Sequence, residues 1–220
     1  MLDVAPSRVT SRRIEKLAME SGSPYLSLDF DPAADKRQVR IQASLTQLPL
    51  PDSSVGVAIC FHVLEHVPDD ASAMQELVRV LKPGGVAVVQ VPRRHGVATE
   101  EDVQASPEER AVRFGQSDHV RFYGDDFEER LNAAGLTVQV VRVRDLYDDF
   151  SISLLGLMEE ETIWLCTKTE PVDVELLRTT SRRSSIAHLH TTLNRASTWN
   201  GRVKLRHFRE SVHRLIHGAP

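Results

Sequence analysis

The segment from Val55 to Val91 constrains the fold more than any other part of the chain. It opens with the apolar run VGVAICF, continues through Ala73, Met74, Leu77, Val78 and Leu81 at helical spacing, and closes with a second apolar run, Val86 to Val91. Two strand-length apolar runs joined by one amphipathic helix describe a βα unit, because a parallel neighbour needs a crossover that returns the chain to the same end of the sheet. The helix is predicted to stop at Lys82-Pro83-Gly84-Gly85, where a basic last turn, a residue that cannot continue a helix and two glycines agree. The alternation recurs on both sides. Leu2 to Ala5, Tyr25 to Phe30, Val39 to Ala43, Leu136 to Val143 and Thr162 to Thr167 read as further strands, with helical faces at Ile14, Leu17 and Ala18 and at Phe127, Leu131 and Ala134, the latter ended by Gly135. Seven strands in this arrangement predict a doubly wound, mostly parallel α/β sheet.

Composition bounds the remainder. The 220 residues are 41% hydrophobic, enough for one α/β domain with a buried core, and no apolar run reaches the length of a membrane-spanning helix. The N-terminus lacks a basic stretch followed by an apolar one, so no secretory signal is expected and a cytoplasmic location follows. Cys60 and Cys166 each lie inside an apolar run, which predicts free buried thiols and neither a disulfide nor a cysteine zinc site. The net charge of -4 is unevenly distributed: residues 1 to 170 hold 18 Lys+Arg against 28 Asp+Glu, and residues 171 to 220 hold 9 against 3. We therefore divide the chain into a domain over 1–170 and a basic helical tail over 171–220. Ile186, Leu189, Leu193 and Ala196, then Leu205, Phe208, Val212, Leu215 and Ile216, give the tail two amphipathic patterns that could pack on the body, on a second copy or on a protein partner. With so few aromatics and so modest a charge, nucleic acid is not the expected partner. Residues 92–124 are polar and without sustained period and read as a long insertion, of the kind that is either a functional lid or disordered.

The stretch Leu48 to Pro92 carries a specific pattern: Leu64-Glu65-His66 after the VGVAICF run, then Glu76, then Arg79-Val80-Leu81-Lys82-Pro83-Gly84-Gly85. In this order it resembles the class I methyltransferases that use S-adenosylmethionine. The resemblance implies a Rossmann-like sheet with its last strand antiparallel, and transfer of a methyl group to an O, N or C nucleophile of a small or medium-sized substrate. The alternative function is a catalytically silent member of the fold that binds or scaffolds through its tail.

Site residues follow from the same resemblance. Asp29, at the end of the second strand, is expected to hold the ribose hydroxyls of the cofactor, with Phe30 beside the adenine. Where the family commonly has an aspartate for the adenine amino group this chain has Ser44, so Ser44 and the backbone at Leu45 take that place. The family's glycine-rich first loop is represented by Asp3-Val4-Ala5-Pro6-Ser7, and Asp3, Ala5 and Pro6 are expected beside the methionine part. Alanine leaves less room than glycine and Pro6 removes a backbone donor. The strand also begins at residue 2 without the leading helix that often closes over the cofactor, which could weaken affinity or mark a shortened form. Phe61 and His62 leave the fourth strand near the sulfonium, and His66 is expected to face the substrate.

The insertion's FGQSDHVRFYG run, Phe114 to Gly124, looks like one that recurs in a subgroup of these enzymes. From it, His119 is the expected proton acceptor, Arg121 the clamp for an anionic substrate and Tyr123 a wall of the transfer channel; the alternation equally fits one face of a short surface strand. His62-Val63-Leu64-Glu65-His66 also matches the H-x-x-E-H pattern of inverted zinc peptidases. Pro68 would end the required helix at once and no downstream helix offers an obvious third ligand, so no metal is expected.

Overall fold

The computed structural model describes residues 1–7, 11–31, 39–147, 149, 152–153 and 158–169. Seven strands form one sheet: β1 (Leu2–Val4), β2 (Leu26–Asp29), β3 (Ile41–Gln42), β4 (Val55–Phe61), β5 (Leu81–Gln90), β8 (Thr137–Arg142) and β9 (Thr162–Thr167). Their order across the sheet is β3-β2-β1-β4-β5-β9-β8. The first five run parallel, whereas β9 is antiparallel to both of its neighbours. This is the doubly wound sheet expected, with its topological switch between β1 and β4. Helices α1 (Ser11–Glu20), α2 (Asp70–Val80) and α4 (Phe127–Ala133) turn the faces Ile14/Leu17/Ala18, Ala73/Met74/Leu77 and Phe127/Leu131 into the core. The core is continuous from Leu2, Val4 and Leu28 through Ala58 and Cys60 to Val89, Trp164 and Cys166. Both cysteines are free and buried, and burial pushes both thiols well above their usual range, as expected of inert core residues.

Three differences from the sequence reading have physical reasons. First, β5 begins at Leu81, directly after α2, rather than at Val86. Leu81 pairs with Val55 and Val86 with Val57, so Lys82-Pro83-Gly84-Gly85 is looped out of the ladder. Gly84 has a φ of 72°, and a Cβ on Gly85 would lie 3.0 Å from the carbonyl oxygens of Lys82 and Val55, so the two glycines serve this bulge as much as the helix end. Second, the insertion is ordered. It contains a hairpin, β6 (Glu100–Glu101) with β7 (Arg121–Phe122), and a helix α3 (Pro107–Phe114) with a capping box from Ser106 and Glu109. Ser106-Pro107-Glu108-Glu109 is a good helix start that the absence of a long apolar period concealed. Third, the predicted end of the sixth strand at Val143 becomes a helical turn, α5 (Val143–Leu146). No helix among the described residues is long and apolar enough to cross a membrane. The tail, 171–220, with both of its amphipathic patterns, lies outside the described residues.

Candidate functional site

The carboxyl ends of β1, β2 and β4 meet beside the switch point, where open α/β sheets bind ligands. Val4 is level with Leu28 on one side and with Cys60 on the other, so Ala5, Asp29 and Phe61 are the next residues on three adjacent strands. Ala5 has a φ of 48° and donates its N–H to the Leu28 carbonyl at 2.7 Å. The left-handed turn that glycine would make is thus kept with a side chain present, at a strain of about 1 kcal/mol. Pro6 is buried directly behind it. Asp3 is buried and accepts the Tyr25 hydroxyl at 2.8 Å; burial pushes its carboxyl up to about 6. Asp29 is almost buried and accepts the Asp31 N–H at 3.0 Å on Oδ1, while the neighbouring Phe30 is 74% exposed. Ser44 closes a turn by accepting the Thr46 N–H and lies 2.7 Å from the Thr46 hydroxyl, with Leu45 buried beside it. An exposed phenyl next to a buried carboxylate, both at the tip of a parallel strand, suits a planar base and a vicinal diol.

His62 follows Phe61 at the tip of β4. Its φ is 54°, unusual for a residue with a side chain, and its N–H donates to the Gln90 carbonyl at 2.9 Å. The imidazole is exposed and Nδ1 lies 3.5 Å from Oε1 of the buried Glu65, which raises the ring's pKa.

The signature residues farther along turn out to be structural. Arg79 grips Glu76 with two nitrogens, at 2.6 and 2.8 Å, and donates to the carbonyls of Leu48 and Leu50 and to Asp52. Glu76 also accepts the Leu48 N–H at 2.6 Å. The pair clamps α2 to the 48–52 loop, and Arg79 holds the Glu76 carboxyl below its usual range.

The insertion places three of the expected site residues in packed surroundings. Arg121 is 1% exposed, and its guanidinium donates to the carbonyls of Leu64, Val67 and Pro68 and to Glu101. It fastens the turn after β4, with four of its five N–H groups given to protein acceptors. Tyr123 is fully buried, donates its hydroxyl to Asp70 at 2.7 Å and packs on Phe127. It belongs to the hydrophobic core. Arg130 holds both oxygens of Asp70 at 2.9 Å, so Arg121, Arg130, Asp70 and Glu101 form one interlocked ion network. Asp70 and Arg130 drew no attention in the sequence because an acid at a helix start reads as ordinary helix electrostatics. His119 is 4% exposed, with Nδ1 3.0 Å from the Phe114 carbonyl, so it is not an open lid-borne base. Gly124 lets the loop pass: a Cβ there would lie 2.2 Å from the Val97 carbonyl oxygen.

His66, partly exposed, projects from the single 3-10 turn Leu64–His66 and has Nδ1 3.2 Å from Asp118. Its ring meets that of His119 edge to face at 4.6 Å. One ligand atom from each of Glu65, His66 and His119 lies within 4.8 Å of the other two. The third side chain that no downstream helix supplied therefore arrives from the loop ahead of β7. His62 is outside this group because the turn is not the sustained helix that the H-x-x-E-H pattern needs.

Comparison with known proteins agrees with the fold. Residues 7–89 match the family described as "Methyltransferase domain". A probable S-adenosylmethionine-dependent methyltransferase of Mycolicibacterium smegmatis is 38% identical over 89 residues, 37% of this chain and 35% of that protein. An uncharacterized methyltransferase of Mycobacterium sp. strain JLS is 47% identical over 75 residues, 31% of this chain and 30% of that protein. These matches span about a third of the length of the curated relatives. The solved S-adenosylmethionine-dependent methyltransferase of Mesorhizobium loti superposes with a TM-score of 0.50 at 17% identity, covering 75% of this chain and 88% of that one. Over residues 7–89 the chain is thus similar to S-adenosylmethionine-dependent methyltransferases, and the sheet order is the class I methyltransferase fold of the solved neighbour.

Proposed function

We propose that the chain transfers a methyl group from S-adenosylmethionine to an oxygen, nitrogen or carbon nucleophile of a small or medium-sized molecule. The observation that carries this reading is the convergence of Ala5, Asp29, Phe30, Phe61 and His62 on adjacent strand tips at the switch point. The residues fit the cofactor. Asp29 would take the ribose hydroxyls in charge-assisted hydrogen bonds, Phe30 would cover the adenine, and the Ser44–Leu45 turn would border its edge. The Ala5–Pro6 turn would line the methionine part with backbone, supported from beneath by Asp3, and Phe61 would lie against the sulfonium. β2 and β4 flank β1, so their tips are about 10 Å apart, a span suited to a nucleoside and its substituent.

When bound, the sulfonium supplies an already activated methyl donor. The protein's share is then to exclude water and hold donor and acceptor in line. His62 is the polar side chain at the β4 tip, placed to accept a hydrogen bond from an incoming hydroxyl or amine and orient it; His66, partly exposed on the next turn, extends the same wall. The reading is tested by incubating the protein with S-adenosylmethionine and panels of phenol, amine and activated-methylene acceptors and measuring S-adenosylhomocysteine. Release dependent on one acceptor class supports it, and a folded protein that binds neither the cofactor nor its demethylated product contradicts it.

A further inference from the structure

We propose that Glu65, His66 and His119 form a binding site for a divalent cation of the zinc type. Three observations converge on it. Both carboxylate oxygens of Glu65 are buried without a hydrogen-bond partner, and so is Nε2 of His119. A buried carboxylate left in this state costs several kcal/mol unless a cation or proton compensates it. Arg121, which reaches the carbonyl of the adjoining Leu64, is turned to backbone carbonyls and Glu101. The unmatched valency of Glu65 and His119 therefore points into a shared space.

The histidines are also set for metal. A carbonyl can only accept, so the Phe114 contact makes Nδ1 of His119 the protonated nitrogen and leaves the lone pair on Nε2, the atom without a partner. Oδ2 of Asp118 lies 3.2 Å from Nδ1 of His66 as an ion-pair partner, which favours Nε2 as the nitrogen that offers its lone pair to a cation. A carbonyl or carboxylate behind each ligating imidazole is the usual arrangement of outer-shell groups. Two imidazoles and a carboxylate match the three-protein-ligand sites that hold Zn²⁺ with a fourth position open. The ligand atoms, within 4.8 Å of one another, would need to close to about 3.3 Å around a tetrahedral ion with 2.0–2.1 Å bonds. His66, whose side chain is 32% exposed, provides the entry side. The cation would tie the insertion to the turn after β4, beside the ion network already there.

The competing account is that His62, 3.5 Å from Glu65 Oε1, is the counter-ion. The test uses the full chain without a histidine tag, stripped with chelator and titrated with Zn²⁺ against a chromophoric competitor and with Co²⁺ by visible absorption. It needs no methyl donor and so stands or falls apart from the function proposed above. One Zn²⁺ per chain is expected, with tetrahedral Co²⁺ bands. Glu65→Gln and His119→Ala should abolish stoichiometric binding, Asp118→Ala should weaken it about 10- to 100-fold, and His62→Ala should leave it unchanged. His66→Ala, at a partly exposed position, keeps the test valid where a buried variant fails to fold, and it should lose the Co²⁺ bands. Absence of stoichiometric binding by the folded parent would overturn the site, as would parent-like affinity in His66→Ala or loss of binding in His62→Ala.

Discussion

The two functional-looking regions are built on opposite principles. Around Arg121 and Asp70, buried polar groups saturate one another: Arg121, Tyr123 and Arg130 use their donors on carbonyls and carboxylates. At the tips of β1, β2 and β4 the chain instead presents a strained Ala5, an exposed Phe30, an exposed His62 in the left-handed region and a buried Asp3 whose carboxyl is pushed up to about 6. Charged residues of an unusual motif are thus no guide to ligand binding by themselves. What separates the two regions is whether side chains are spent on fastening the fold or stand at the open end of the sheet.

The comparison breaks first at Arg121. Arg121→Ala leaves three carbonyls and a share of Asp70's charge uncompensated, and should lower unfolding stability by about 3 to 5 kcal/mol in urea titrations. A loss below about 1 kcal/mol would mean that the network is a surface feature and that Arg121 is free for substrate. Asp3 provides the next effect, with a definite sign. Its folded pKa of about 6 exceeds the ordinary 3.8, so the stability it allows is fully present below about pH 4 and is lost as pH rises through 6. Asp3→Asn should therefore gain up to about 3 kcal/mol relative to the parent between pH 4 and pH 8. Parallel stability profiles for the two proteins would remove the burial argument at β1.

Asp29→Ala lies at the strand tips, so its main effect should appear in binding: about 1.5 to 3 kcal/mol weaker S-adenosylmethionine affinity by calorimetry, in a protein that still folds. A variant that melts lower but binds normally would reverse the assignment. Ala5→Gly should have the smallest effect. Relief of left-handed strain offsets the added freedom of the unfolded chain, leaving stability within about 0.5 kcal/mol and cofactor affinity no weaker.

The sheet was legible because its signals are local and redundant. VGVAICF, the helical faces and the Gly135 stop each name an element, and Asp29 and Phe30 stand at the predicted strand end. The insertion was misread because its folding rests on polar pairing at long range. Arg121 reaches the Leu64 carbonyl across 57 positions and Tyr123 reaches Asp70 across 53, and no periodicity records such contacts. His119 followed the same pattern: it reads as an accessible base until the Phe114 carbonyl and the turn carrying Glu65 and His66 are seen to enclose it. The Lys82–Gly85 stop was read correctly as a break, but its second task, a bulge level with Val55, depends on a strand pairing that the segment does not encode alone.

Titration of the full chain with S-adenosylmethionine and with S-adenosylhomocysteine, by calorimetry and by melting temperature, tests the central assignment most directly. Saturable binding of one molecule of each per chain is predicted, with the folded state stabilised by about 2.7 kcal/mol at a hundredfold excess over Kd. A folded protein that gives no binding heat and no thermal shift with either ligand would contradict it.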